Sequence, residues 1–233
     1  MTTFILIPGL VSDGRVWQAL AENLASRGEV FSADITALDR IPAMAETLLR
    51  QTRGDLVVMG HSLGGRVAIE IAHQAPDRVR ALVLANTGHA PKKDGEEVRR
   101  QSMVDLGHCS MQALAELWLP PMLDPMRVSD NQLMETLRRM VVQAGAETHA
   151  RQIQALVHRP DASLTLPHVT CPVLLLTGVQ DSWSPEAQHR EMAAMVKDAT
   201  LEVIDEAGHF LPIEQPEKTR DTITNWLRNR GLI

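Results

Sequence analysis

The sequence predicts an α/β fold with a mostly parallel sheet, helices on both faces of it and a helical cap insertion. Three observations support this prediction. Short apolar runs alternate with helical stripes over residues 1–89, the alternation stops over residues 90–165, and it resumes over residues 166–233. Runs that are apolar throughout are typical of parallel strands covered on both faces. We therefore predict a core made of the first and last segments, with residues 90–165 as the cap.

In the first segment, the predicted strands are apolar runs that end at glycine or at a polar residue. The predicted helices carry apolar residues three and four positions apart, as Leu63, Val67 and Ile71 do. The strands are Phe4–Ile7, Glu29–Ala33, Leu56–Met59 and Val79–Ala85, and the helices are Val16–Ala25, Ile41–Leu49 and Leu63–Gln74.

The middle segment shows helical stripes and no convincing strand, and Pro120-Pro121 and Asp124-Pro125 interrupt it. Its many methionines either fill a small helical core or form a deformable apolar wall over a site. After it the α/β alternation returns. The predicted strands are Pro172–Thr177 and Thr200–Ile204, and the predicted helices are Pro185–Met195 and Glu217–Leu227.

Composition and charge narrow the possible partners. A net charge of −6 over 233 residues argues against a broad surface for nucleic acid or acidic membranes. Cys109 and Cys171 are too few for a disulfide framework or a four-thiolate zinc site. The first apolar run, Phe4–Leu10, is too short for a signal peptide or a membrane span. We therefore expect a cytoplasmic protein with a small-molecule partner, and the oligomeric state stays open.

The most informative motif is Gly60-His61-Ser62-Leu63-Gly64, which follows a predicted strand and precedes a predicted helix. This is the context of a nucleophile elbow, a turn so sharp that the positions flanking the serine must lack side chains. Ser62 would lie at the tip of the turn. The amide of Leu63, at the start of the helix, would be free to donate to an oxyanion. His61 is expected to point away from the site.

A serine nucleophile needs a base, and the base needs a carboxylate to orient it. Asp181 and His209 each follow a predicted strand, at the edge where α/β sheets build their sites. Their order after Ser62 matches the order expected for this elbow. Asp205 is a weaker alternative to Asp181, because it lies so near His209 in the chain. For the second oxyanion donor we predict the amide of Leu10, in the loop after the first strand.

Over nearly its whole length the chain resembles the α/β-hydrolase superfamily, and within it the small capped bacterial serine esterases and hydrolases. The resemblance implies an α/β-hydrolase fold and a Ser62–Asp181–His209 triad that needs no metal and no organic cofactor. Pro8 departs from the histidine usual at that position in the family. The matching residues are Pro8-Gly9, Gly60–Gly65, Gly178–Asp181, Pro185, Gly208–Phe210, Glu214 and Pro216.

The resemblance implies hydrolysis of small carboxylic esters or lactones through an acyl-enzyme on Ser62. Two alternatives stay open. One is carbon–carbon bond hydrolysis or acyl transfer by the same triad, and the other is a hydrolase-like receptor that binds a ligand in its pocket. As substrate contacts we predict Trp183, His89 and Trp17. The tryptophans and the methionine-rich segment suggest an apolar acyl or aryl group.

Overall fold

A computed structural model describes residues 2–233, and a six-stranded parallel sheet lies at its centre. The strands are β1 (Thr2–Ile7), β2 (Glu29–Ser32), β3 (Asp55–His61), β4 (Val79–Ala85), β5 (Val173–Gly178) and β6 (Ala199–Ile204). Their order across the sheet is β2-β1-β3-β4-β5-β6, and every pairing is parallel. The predicted α/β class and the predicted strands are confirmed.

The four central strands are apolar because helices cover both of their faces. Nearly all residues of β1, β3, β4 and β5 are buried, whereas the edge strands β2 and β6 are partly exposed. Glu29 and Ser32 keep the β2 edge polar, as is usual where backbone groups have no further strand to pair with.

Helices fill the connections between the strands. They are α1 (Gln18–Leu24), α2 (Ile41–Gln51), α3 (Leu63–Gln74), α4 (Glu96–Cys109), α5 (Met111–Trp118), α6 (Asn131–Val157), α7 (Glu186–Met195), α8 (Leu211–Glu214) and α9 (Pro216–Asn229). The helix predicted from Val16 begins instead as a 3₁₀ turn over Gly14–Trp17, where the Asp13 carboxylate accepts from the Arg15 amide at 3.0 Å. None of the helices within residues 2–233 has the length and apolar character that crossing a bilayer requires.

Strand register brings the functional loops together at the carboxyl edge of the sheet. Ile7 of β1 is aligned with Gly60 of β3, and His61 is aligned with Ala85 of β4. The chain leaves β1 for β2 on one side and returns to β3 on the other. Ligands of open α/β sheets bind at such a switch point. The loop after β1 therefore lies beside Ser62.

The segment between β4 and β5 is helical, as predicted. It consists of α4, α5 and α6, and α6 is kinked at Gly145, which has a φ of +78°. The boundaries of a separate cap at residues 90 and 165 stay a prediction, because the helices pack on one another and on the core as one hydrophobic cluster.

Gly64 allows α3 to approach β1 more closely than any side chain would permit. A Cβ there would lie 2.4 Å from the Ile7 carbonyl oxygen and 2.5 Å from that of Pro8. We predict that Gly64→Ala lowers the free energy of unfolding by about 1–3 kcal/mol, because backbone must move to admit the methyl group. Urea unfolding measures this loss. Gly14→Ala is the matched control, since its Cβ would meet no atom closer than 3.8 Å. Equal losses in the two variants would contradict the prediction.

Candidate active site

Ser62 lies on a strained turn between β3 and α3. Its φ and ψ are +53° and −114°, a conformation rare for any residue but glycine. Two backbone hydrogen bonds hold Ser62 there. The Ser62 amide donates to the Ala85 carbonyl at 2.9 Å, and the Ser62 carbonyl accepts from the Gly65 amide at 3.0 Å. A Cβ on Gly60 would lie 2.2 Å from the Gly64 carbonyl oxygen. The turn thus requires glycine on each side of the serine, as the motif predicts.

Side chains from three loops meet at His209. Its Nε2 lies 2.9 Å from Ser62 Oγ, and its Nδ1 lies 3.0 Å from Asp181 Oδ2 and 3.1 Å from Oδ1. An ionised carboxylate can only accept a hydrogen bond, so Nδ1 carries the proton. Nε2 then presents a lone pair to the Ser62 hydroxyl. The structure brings the three predicted residues into one hydrogen-bonded line.

Asp181 is buried and fully hydrogen-bonded. Its Oδ1 accepts from the amides of Trp183 and Ser184, both at 2.9 Å, and its Oδ2 accepts from Asn86 Nδ2 at 2.8 Å. Burial alone would raise the pKa of Asp181. The adjacent His209 and the hydrogen bonds outweigh burial and hold that pKa well below its ordinary value. The carboxylate therefore stays ionised next to the imidazole.

Asn86 joins two of the loops and was not predicted from the sequence. It directly follows β4, has a φ of +49°, and is buried completely. Besides Asp181, its Nδ2 donates to the Gly208 carbonyl at 3.1 Å. It thereby fixes the carboxylate relative to the turn that carries His209. The available signal was a polar residue at the end of an apolar strand, on the same sheet edge as Ser62.

Glu214 organises the turn around His209. Its carboxylate accepts from the amides of Gly208 and Phe210 at 3.0 Å and from that of Asp124 at 2.8 Å. Burial raises the pKa of Glu214 despite these hydrogen bonds. The His209 amide also donates to the Met122 carbonyl at 2.6 Å. This hydrogen bond and the Asp124 contact tie the turn to the segment after α5.

His61 does not point away from the site, contrary to expectation. Its ring lies 5.4 Å from that of His209, and its Nε2 donates to the His209 carbonyl at 2.7 Å. Its buried Nδ1 has no hydrogen-bond partner within residues 2–233. Burial, with a smaller contribution from His209, lowers the pKa of His61 to about 3. His61 is therefore a neutral support for the backbone of His209.

The amides of the two predicted oxyanion donors, Leu10 and Leu63, donate no hydrogen bond within the described chain. Leu63 is the first residue of α3, so its amide has no partner within the helix. Within the described chain, the Leu10 amide donates no hydrogen bond either. The next amide, that of Val11, is held by Gln152 Oε1 of α6 at 2.8 Å. Both leucines line the cavity next to Ser62.

That cavity has a volume of about 560 Å³ and lies between the sheet edge and helices α4 to α6. Trp183 lines it, with its ring 6.4 Å from that of His209. Trp17 does not line it: the ring lies in the core, and its Nε1 donates to the Ile7 carbonyl at 3.0 Å. The His89 side chain also lies outside the lining, 3.6 Å from Glu191.

The cavity wall is less apolar than the sequence suggests. Trp118 and Met103 do line it, as a methionine- and tryptophan-rich segment would. Five cationic side chains line it as well: Arg66, Lys93, Arg99, Arg100 and Arg159. Glu96 is the one acidic residue in the lining formed by the described chain.

Comparisons with known proteins match the chain over nearly its whole length. A family model described as "Alpha/beta hydrolase family" matches residues 4–222. The pimeloyl-(acyl-carrier protein) methyl ester esterase of Nitrosomonas europaea is 28% identical over 233 residues, covering 92% of this chain and 91% of that protein.

Solved structures also match the chain over nearly its whole length. A thermophilic esterase from Thermogutta terrifontis, solved with malate bound, has a TM-score of 0.88 and 28% identity, covering 98% of this chain and 90% of that one. The enol-lactonase from Burkholderia xenovorans LB400 shares the fold, with a TM-score of 0.81, 21% identity and coverage of 97% and 91%.

The depressed pKa of His61 predicts a loss of stability in acid. Its pKa is about 3 in the folded protein and 6.5 in an unfolded chain, so only the unfolded chain binds a proton between these values. The free energy of unfolding therefore falls as pH drops below 6.5. From pH 7 to pH 5, we expect wild type to lose about 2 kcal/mol more than His61→Gln, measured by urea unfolding. His73→Gln, at an exposed position, is the control and should follow wild type. Parallel curves for wild type and His61→Gln would refute the assignment.

Proposed function

Because this chain belongs to the alpha/beta hydrolase family, we propose that it is a serine hydrolase that cleaves small carboxylic esters or lactones through an acyl-enzyme on Ser62. The proposal depends above all on the 2.9 Å between His209 Nε2 and Ser62 Oγ, with Asp181 on the other ring nitrogen. A histidine that contacts a serine hydroxyl and is oriented by a carboxylate is the arrangement that activates a serine.

Acylation begins with proton transfer from Ser62 to His209. As Ser62 Oγ attacks the carbonyl carbon, Nε2 takes the hydroxyl proton, and the Asp181 carboxylate stabilises the resulting imidazolium. The carbonyl oxygen becomes an oxyanion, which accepts hydrogen bonds from the amides of Leu10 and Leu63. Loss of one such donor typically costs about 100-fold or more in rate.

The intermediate then breaks its bond to the alcohol oxygen, and His209 returns the proton to that oxygen. The acyl group stays on Ser62 as an ester. In deacylation, His209 takes a proton from water, the water oxygen attacks the acyl carbon, and collapse restores the Ser62 hydroxyl with the proton from His209. One water molecule is consumed, and one acid and one alcohol are formed. With a lactone, both products are parts of one hydroxy acid.

The hydrogen bonds around Asp181 support this cycle. His209 must gain and lose a proton without turning its ring, and a carboxylate fixed by Asn86 and two amides keeps Nδ1 protonated throughout. The low pKa of Asp181 keeps the negative charge that the imidazolium needs. Two known proteins that are each 28% identical to this chain are named esterases.

Removing the Ser62 hydroxyl tests the proposal. For Ser62→Ala we expect kcat/KM with p-nitrophenyl acetate and butyrate to fall by at least about 10³-fold, since no nucleophile is left for His209 to activate. Ser26→Ala, an exposed serine elsewhere on the chain, is the control and should keep wild-type rates. Undiminished turnover in Ser62→Ala would reject the assignment. A single stoichiometric release of nitrophenol by wild type, with no later turnover, would favour the receptor alternative.

A further inference from the structure

One wall of the cavity holds more positive charge than the protein itself neutralises. Arg66 lies on α3, four residues after Ser62, and Arg100 and Arg159 reach the cavity from α4 and from the segment after α6. Glu96 is their one acidic neighbour in the lining. The four side chains, which we term the arginine cluster, carry a net charge of +2 in a protein whose net charge is −6.

Glu96 is fully used by two of the arginines. Its Oε1 accepts from Arg100 Nε and Arg159 Nη1, each at 2.7 Å, and its Oε2 accepts from Arg159 Nη2 at 2.8 Å and from the Lys93 amide at 3.1 Å. These partners outweigh burial and lower the pKa of Glu96 well below its ordinary value. Arg159 also donates to three backbone carbonyls, so its guanidinium is satisfied.

Arg66 and Arg100 keep unused donors. Within residues 2–233, Arg66 forms no ion pair, and its acceptors are the carbonyls of His89 at 3.5 Å and Ala90 at 3.0 Å. Burial, and then repulsion from Arg159 and Arg100, outweighs the attraction of Glu96 and Asp161 and lowers the pKa of Arg66 to about 9. Arg100 donates from Nε to Glu96, and its two Nη atoms have no acceptor within the described chain. A partly buried cation without a directly bonded counter-ion is costly, and a bound anion would reduce that cost.

The position of these donors fits a substrate rather than a structural ion pair. Arg66 is one helical turn beyond Ser62, about 6 Å along the axis of α3. Long helical side chains lean toward the helix N-terminus, which is the end that carries Ser62. Guanidinium groups with free N–H donors suit a carboxylate, because each can donate to its oxygens in a planar, charge-assisted arrangement.

We infer that the substrate of this hydrolase carries a carboxylate remote from its scissile ester bond, and that Arg66 and Arg100 bind that carboxylate. The inference rests on the proposed function, and it names the substrate class: half-esters of dicarboxylic acids, or esters whose alcohol part bears a carboxylate. The apolar residues Trp118 and Met103 then contact the chain that separates the two groups.

Matched substrate pairs test the inference. We expect wild type to hydrolyse monomethyl esters of C4 to C8 dicarboxylic acids, or 4-carboxyphenyl acetate, with kcat/KM at least about 10-fold above the neutral dimethyl esters or 4-carbamoylphenyl acetate. In Arg66→Gln and in Arg100→Gln, kcat/KM for the charged member should fall about 10- to 100-fold, chiefly through KM. The ratio of kcat/KM for the charged member to that for the neutral member should therefore fall by at least about 5-fold. Arg66→Lys should recover part of the loss, because it keeps the charge without the fork of donors.

Arg139→Gln is the matched control, since Arg139 is exposed on α6 and its loss changes the net charge equally. A variant that merely misfolds would lose the charged and the neutral substrate alike, and Arg100→Gln then serves as the second test. The inference is overturned if wild type prefers the charged member in neither pair, or if that preference survives in both arginine variants.

Binding separates this inference from the proposed function. Calorimetry with Ser62→Ala should show monomethyl adipate or 4-carboxyphenyl acetate binding about 10-fold more tightly than its neutral partner, with Arg66→Gln removing the difference. Selective binding without turnover in wild type would reject the hydrolase and keep the carboxylate site. Turnover of neutral esters without selective binding would keep the hydrolase and reject the site.

Discussion

His209 must stand between Ser62 and Asp181, and the carboxyl edge of the sheet is arranged to keep it there. The imidazole can contact both partners only if loops from β3, β5 and β6 hold their relative positions to within a few tenths of an ångström. Parallel register sets this edge coarsely by aligning the ends of neighbouring strands. Hydrogen bonds between the loops then fix it: Asn86 joins the Asp181 loop to Gly208, and His61 holds the carbonyl of His209.

The strained backbone at Ser62 also helps to position the three side chains at this edge of the sheet. A positive φ at a residue other than glycine costs free energy. The close packing of α3 on β1 and β3 offsets that cost. Glycine at 60 and 64 permits that packing, because any side chain there would overlap backbone atoms. In return, the hydroxyl projects from the turn toward the cavity, and the first amide of α3 is left without an acceptor.

Local patterns sufficed for much of this fold. The central strands and α3 could be predicted because burial on both faces, or on one stripe, leaves a clear mark on a short stretch of sequence. The motif around Ser62 could be predicted as well, because the steric limits of the turn act within five consecutive residues. Placement of Asp181 and His209 followed from strand ends and chain order.

What could not be predicted depends on contacts distant in sequence. Asn86 meets residues 95 and 122 positions away, and His61 meets a carbonyl 148 positions away. The arginine cluster was missed for the same reason. Composition suggests an apolar cavity, but it cannot say which side of α4 faces Ser62. Arg66 joins the arginine cluster only through helices that begin after residue 95.

The most direct measurement of an activated Ser62 is its reaction with a fluorophosphonate, followed by intact mass spectrometry and peptide mapping. A serine whose proton is removed by an oriented base displaces fluoride from phosphorus far faster than an ordinary hydroxyl does, so a folded triad gives one adduct per chain, on Ser62. We expect that adduct at neutral pH and expect none after unfolding in urea. Absence of the adduct from the folded protein, or an adduct on another residue, would contradict the arrangement of Ser62, His209 and Asp181 as a catalytic unit.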